Sequence, residues 1–174
     1  TQIYNSSNYG ILAQTGKIVG ENVVINNAGV ASLACLYGGD YHFTHSTFNN
    51  NWNSSSQVAV LVSNFITGAV PESKDLTQAT FNNCIIYGSY SNEMLLNKKA
   101  TSVFNYQFNH CLLKFNNSSN LFTNDPLYKF ETDATSQCEG QIRTRVEAFL
   151  ESLLTAKGLQ TSEISRKGDR KERP

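Results

Sequence analysis

FNNCIIYGS (residues 81–89) and FNHCLLKFN (residues 108–116) begin twenty-seven residues apart and share one order: Phe, Asn, an amide or imidazole, Cys, then two aliphatics. Two weaker copies lie upstream, FTHSTFNNN (residues 43–51) and GENVVINNA (residues 20–28). In this frame one column holds Asn22, His45, Asn83 and His110. The next holds the small residues Val23, Ser46, Cys84 and Cys111. Two columns on, the large apolar residues Ile25, Phe48, Ile86 and Leu113 line up. A column that keeps its size and polarity over four copies is the mark of stacked units sharing a core.

A second apolar run precedes each copy: YGILA (9–13), SLACLY (32–37), VAVLVSN (58–64) and NEMLLN (92–97). Their central triplets begin at Ile11, Leu33, Val60 and Met94, giving periods of 22, 27 and 34 residues. The runs are short and separated by Asn, Gly and Ser, which favours strands over helices. Each unit therefore reads as a strand, a Gly/Asn-rich turn, a second strand and a variable loop. Asn suits the bends, because it tolerates left-handed backbone and bonds to nearby backbone groups. Stacked units of this kind predict an all-β, right-handed parallel β-helix of about four coils.

The chain has 174 residues, enough for one domain with a real core. Its formal net charge is zero, which gives no electrostatic case for nucleic acid or an anionic membrane surface. No apolar run approaches the roughly 18–20 residues of a bilayer span. The first residue is Thr1, which reads as a processed or partial chain with any export signal, and further coils, upstream. The four cysteines, Cys35, Cys84, Cys111 and Cys138, form no CxxC pair, and no His stands at zinc-site spacing. They are expected as buried free thiols. No metal or other cofactor is expected.

Composition changes near Cys138. Residues 1–137 hold twenty Asn and no Arg, whereas residues 138–174 hold all five Arg and no Asn. The expected organisation is a β-helix over residues 1–130, an exit segment over 131–138, an amphipathic helix over 139–158 and a charged tail over 159–174. Ile142, Val146, Phe149, Leu150, Leu153 and Leu154 fall at helical spacing, with Gly158 as a C-cap. That helix reads either as a cap on the open end of the strands or as sequence foreign to the fold.

The stretches YGILAQTGKIVGENVVINNAG, YHFTHSTFNNNWN and ATFNNCIIYGS resemble the right-handed parallel β-helix proteins of Bacteroidetes surfaces, relatives of the pectate-lyase-like superfamily. FTNDPLYK (residues 122–129) is similar to the Asp-Pro-Leu-aromatic exit that follows the last coils there. The resemblance covers roughly residues 1–130 and concerns architecture. It implies an exported protein at the cell surface or outer membrane. The sequence after Lys129 departs from the family's usual ending, so this C-terminus does not support the family's anchor or sorting signal.

A pectate-lyase-like active site needs clustered carboxylates for calcium and a basic residue, commonly Arg, to take a proton. The repeat region has no Arg and no DxD pair. Hydrolysis of the polygalacturonase kind needs paired carboxylates, and its signature motifs are absent as well. Residues from different coils can still converge, so an enzyme fragment with catalytic residues in other coils stays open, as does a structural spacer. The leading expectation is a non-enzymatic surface protein making adhesive or glycan contacts through stacked polar loops. The candidate ligand-binding residues are Tyr37, Asp40, His42 and Trp52. YGGDYHFTH (37–45) places aromatic rings, an Asp and two His around a Gly-Gly turn, though the turn is also ordinary strand-to-strand chemistry. Trp52 sits among amides on a polar loop, where an indole can stack on a sugar's C–H face or fold back over aliphatic surface. Asn5, Asn53, Asn116 and Asn117 begin N-x-S sequons, incidental in a bacterial protein.

Overall fold

Runs of two to seven residues, cut by Asn, Gly and Ser, form strands along the whole described chain. The computed structural model describes residues 1–52, 57–68, 72–115 and 125–128. Most of its strands fall into three parallel sheets. Sheet I takes β1 (Gln2–Ser6), β4 (Val24–Ala28), β7 (Thr47–Asn50), β12 (Ile85–Gly88) and β15 (Leu112–Leu113), in that spatial order. Sheet II takes β2 (Tyr9–Gln14), β5 (Ala31–Leu36), β8 (Val58–Ser63) and β13 (Met94–Asn97). Sheet III takes β3 (Lys17–Glu21), β6 (Gly39–Thr44), β11 (Leu76–Asn82) and β14 (Phe104–Asn109). The chain visits the sheets in rotation. Each return lays a strand parallel to the one left a circuit earlier. Parallel neighbours need a long connection, and here the strands of the other two sheets supply it.

The register follows the sequence columns. Ile11 pairs with Leu33, Leu33 with Val60, and Val60 with Met94. In sheet I, Ile3, Ile25, Phe48, Ile86 and Leu113 stand opposite one another. Ile25, Phe48 and Ile86 are fully buried, and the row feeds the common core. Burial of each such side chain stabilises the fold by about 1.5–3 kcal/mol before conformational entropy is counted.

Each circuit has three strands where the sequence pattern suggests two. The difference lies inside the repeated nine residues, which hold the end of one strand, a corner and the next strand. Asn22, His45, Asn83 and His110 occupy these corners with φ of 52°, 50°, 53° and 52°. A single left-handed residue turns the chain from sheet III to sheet I without Gly or Pro. The following residue completes the corner. The Ser46 hydroxyl donates to Thr44 O (3.0 Å), and the Cys84 and Cys111 thiols donate to Asn82 O (3.3 Å) and Asn109 O (3.4 Å). That bond to the carbonyl two residues back suits a small side chain with a donor.

Cys35 and Cys84 are buried, Cys111 is half-buried, and among the described residues none of the three is in a disulfide. Burial pushes the Cys35 thiol far above its ordinary value. Between β8 and β11 the chain inserts a small antiparallel pair, β9 (Phe65–Ile66) and β10 (Glu72–Ser73). The Asp-Pro-Leu-Tyr stretch makes a 3₁₀ turn at Pro126–Tyr128. There Tyr128 Oη accepts from Leu96 N (2.9 Å), its ring stacks on Phe115, and Leu127 O accepts from Tyr106 Oη (2.7 Å). The expected exit over 131–138, helix over 139–158 and tail over 159–174, with Cys138, Asn53, Asn116 and Asn117, lie outside the described residues. Among the described residues no helix is long and apolar enough to cross a membrane.

Candidate functional site

The turn from sheet II to sheet III carries YGGDYHFTH. Tyr37, Gly38 and Gly39 all have positive φ. A Cβ on Gly38 would lie 2.5 Å from Asp75 O, so the close approach of the neighbouring circuit requires Gly there. Beyond the turn, Asp40 and His42 are two residues apart on β6 and share its outer face. His42 Nε2 meets Asp40 Oδ1 at 2.7 Å. The other oxygen, Oδ2, pairs at 3.0 Å with the Lys17 ammonium, which β3 delivers directly opposite Asp40. Lys17, with His42 beside it, holds the Asp40 carboxyl below the usual carboxylate range. On the other side β11 places Gln78 against Asp40 and Thr80 against His42. Gln78 Nε2 donates to Thr80 Oγ1 at 2.8 Å. An imidazole oriented by a carboxylate can in principle move a proton.

The remaining candidates stand elsewhere. Tyr37 Oη donates to Glu72 on β10, and Lys74 Nζ lies 4.8 Å from the centre of its ring. The Glu72 carboxylate pushes the Tyr37 phenol above its ordinary value. Trp52 follows β7 at the turn from sheet I to sheet II, where its backbone N–H donates to Asn50 Oδ1 (3.3 Å) and the residue is 38% exposed. The four candidates therefore divide into a pair, Asp40 with His42, and two residues in other settings. His45 and His110 belong to the left-handed corners; His45 Nε2 lies 3.3 Å from the Asn83 amide one circuit on.

Three features have weak linear signals. Lys17 is twenty-three residues from the Asp it pairs with. At the corner from sheet I to sheet II a polar ladder climbs four circuits. Asn27 donates to Asn5 Oδ1 (3.3 Å), Asn51 N to Asn27 Oδ1 (3.3 Å), and Ser89 Oγ to Asn51 Oδ1 (3.4 Å). Further along the same corner Glu93 is fully buried. Its Oε1 accepts Tyr90 N–H at 2.6 Å, and among the described residues its Oε2 has no hydrogen-bond partner. Burial raises its pKa. Among the described residues no three His, Cys, Asp or Glu side chains gather as a metal site would. No family model, curated protein or solved structure matches this chain.

Proposed function

We propose that the chain is a segment of a right-handed parallel β-helix at a cell surface. It presents stacked polar side chains to a glycan, in adhesion or cell-surface polysaccharide contact, without turnover. The observation that carries this reading is the exposed ladder Asn5–Asn27–Asn51–Ser89, with Trp52 directly after Asn51. Amides and hydroxyls repeated at the strand spacing of about 4.8 Å meet the hydroxyls of a repeating polymer one unit after another. An indole beside them adds a face for stacking on C–H groups.

A second reading, a fragment of a polysaccharide lyase or hydrolase, draws on the Asp40–His42 contact. Against it, Asp40 already serves Lys17, and a lyase must both neutralise a uronate and remove its α-proton. The two readings separate in one assay. Purified protein is incubated with pectin, alginate and host glycosaminoglycans, with and without calcium. The adhesive reading expects no unsaturated or reducing ends. Turnover that survives purification and vanishes in Asp40→Asn or His42→Ala would favour the enzyme.

A further inference from the structure

Resting on the glycan reading above, we infer that the contact surface is the outer face of sheet I, and that its ligand is a neutral, linear polysaccharide running across the strands. The register places Tyr4 beside Asn26, Asn26 beside Asn49 and Asn49 beside Tyr87, all on one face. Two phenol rings thus bracket two amides over three strand steps, about 14 Å in all at the usual strand spacing. Tyr4 and Tyr87 are 52% and 45% exposed, which leaves large apolar area in water on a strand that could have carried a polar side chain. In the adjoining outer row Ile85 is likewise 42% exposed.

The amides are already ordered. Asn49 Nδ2 donates to Asn26 Oδ1 at 3.0 Å, which fixes both planes before any ligand arrives and lowers the entropy cost of binding. Tyr87 is held as well: Lys114 Nζ lies 4.8 Å from its ring centre and donates to Gly88 O. Flat rings held in place stack on the C–H faces of sugar units, while amides between them bond hydroxyls.

The charge pattern selects the class of polymer. The five strands of sheet I contain no Asp, Glu, Lys or Arg. Lys114, just beyond β15, is engaged by Tyr87 and Gly88. No carboxylate stands on these strands. The cation at the end of the row, Lys114 beside Tyr87, keeps its charge but is held by that ring and Gly88 O, so the uncharged phenols and amides of the other strands favour neutral sugars. The corner ladder Asn5–Asn27–Asn51–Ser89 runs alongside and would contact the same chain's edge.

Affinity electrophoresis of the full chain tests this, with gels containing hydroxyethylcellulose, glucomannan, xylan, polygalacturonate or alginate. Wild type should be retarded by at least one neutral polymer and less by the two acidic ones. Tyr4→Ala/Tyr87→Ala should weaken that binding about tenfold, as loss of a dominant contact does. Tyr4→Phe/Tyr87→Phe, which keeps the rings, should retain it. Thermal melts of each variant, expected to match wild type, exclude unfolding as the cause. If the Ala pair binds like wild type while Trp52→Ala or His42→Ala does not, this surface is wrong and the glycan reading survives. Stronger retardation by polygalacturonate or alginate would overturn the neutral class. If wild type is retarded by none of the five, the surface and the glycan reading fall together.

Discussion

Phe81 and Phe108, the first residues of the two matching nine-residue stretches, stack with ring centres 4.8 Å apart and planes 10° from parallel. Phe43, first in the third copy, lies on the other side of Phe81 at 5.6 Å and 19°. The fourth copy opens with Gly20, where a Cβ would lie 2.6 Å from the Phe43 ring. The column ends in Gly because Phe43 fills its space. Phe81 is fully buried between two rings, so Phe81→Ala should cost about 3–5 kcal/mol. Urea or thermal unfolding of the variant measures this, and a loss under about 1 kcal/mol would contradict the stack.

Ile86 is buried between Phe48 and Leu113 on the neighbouring strands. Ile86→Asp would put a carboxylate into that row with no cation opposite it. The cost should be at least about 3 kcal/mol, enough to unfold a marginal domain. Unchanged thermal melting would mean that this row does not face the core.

These rows are the part of the architecture most legible in sequence. Size and polarity repeat at Ile25, Phe48, Ile86 and Leu113 because strands one circuit apart share one environment, and this makes the parallel all-β character readable. The third strand of each circuit is hidden because its corner is one residue, Asn83 or its equivalents, inside an otherwise continuous run. The outer row Tyr4–Asn26–Asn49–Tyr87 is harder still. Its members differ in type, and they align only when the intervening lengths, including the β9–β10 insertion, are known. Asp40 and His42 are neighbours in sequence and in space; Tyr37 and Trp52 are drawn away by Glu72 and by the corner after β7.

Asn64 is a buried amide with every polar atom used. Its Nδ2 faces the carbonyls of Lys99, Ser102 and Val103 at 3.0, 3.1 and 3.3 Å, and its Oδ1 accepts Lys99 N–H at 2.7 Å. It thus ties the end of β8 to the loop after β13. Asn64→Ala removes these bonds, although Val103 O keeps Leu76 N–H and Lys99 O keeps Ser102 N–H, and should cost about 1–3 kcal/mol. Hydrogen exchange should show the Lys99 amide losing protection first, whereas unchanged protection at Lys99 would contradict the tie.

Glu93 sets a pH dependence. Burial raises its folded pKa, so the folded state holds its proton more tightly than the unfolded chain does. The resulting stability is fully present below the unfolded value of about 4.3. It is lost as pH rises through the raised folded value. Glu93→Gln cannot ionise, so its melting temperature relative to wild type should climb between mildly acidic and neutral pH. A difference that stays flat over that range would show that Glu93 ionises in the fold at no cost.

The central claim is that equivalent residues of successive repeats lie on top of one another. Methyl-labelled Ile and Leu with protonated Phe, in the full chain, report this by nuclear Overhauser contacts. The account predicts that the Ile86 methyls contact the Phe48 ring and the Leu113 methyls, residues 38 and 27 positions away in sequence. Contacts from Ile86 to sequence neighbours alone, with none to Phe48 or Leu113, would contradict it.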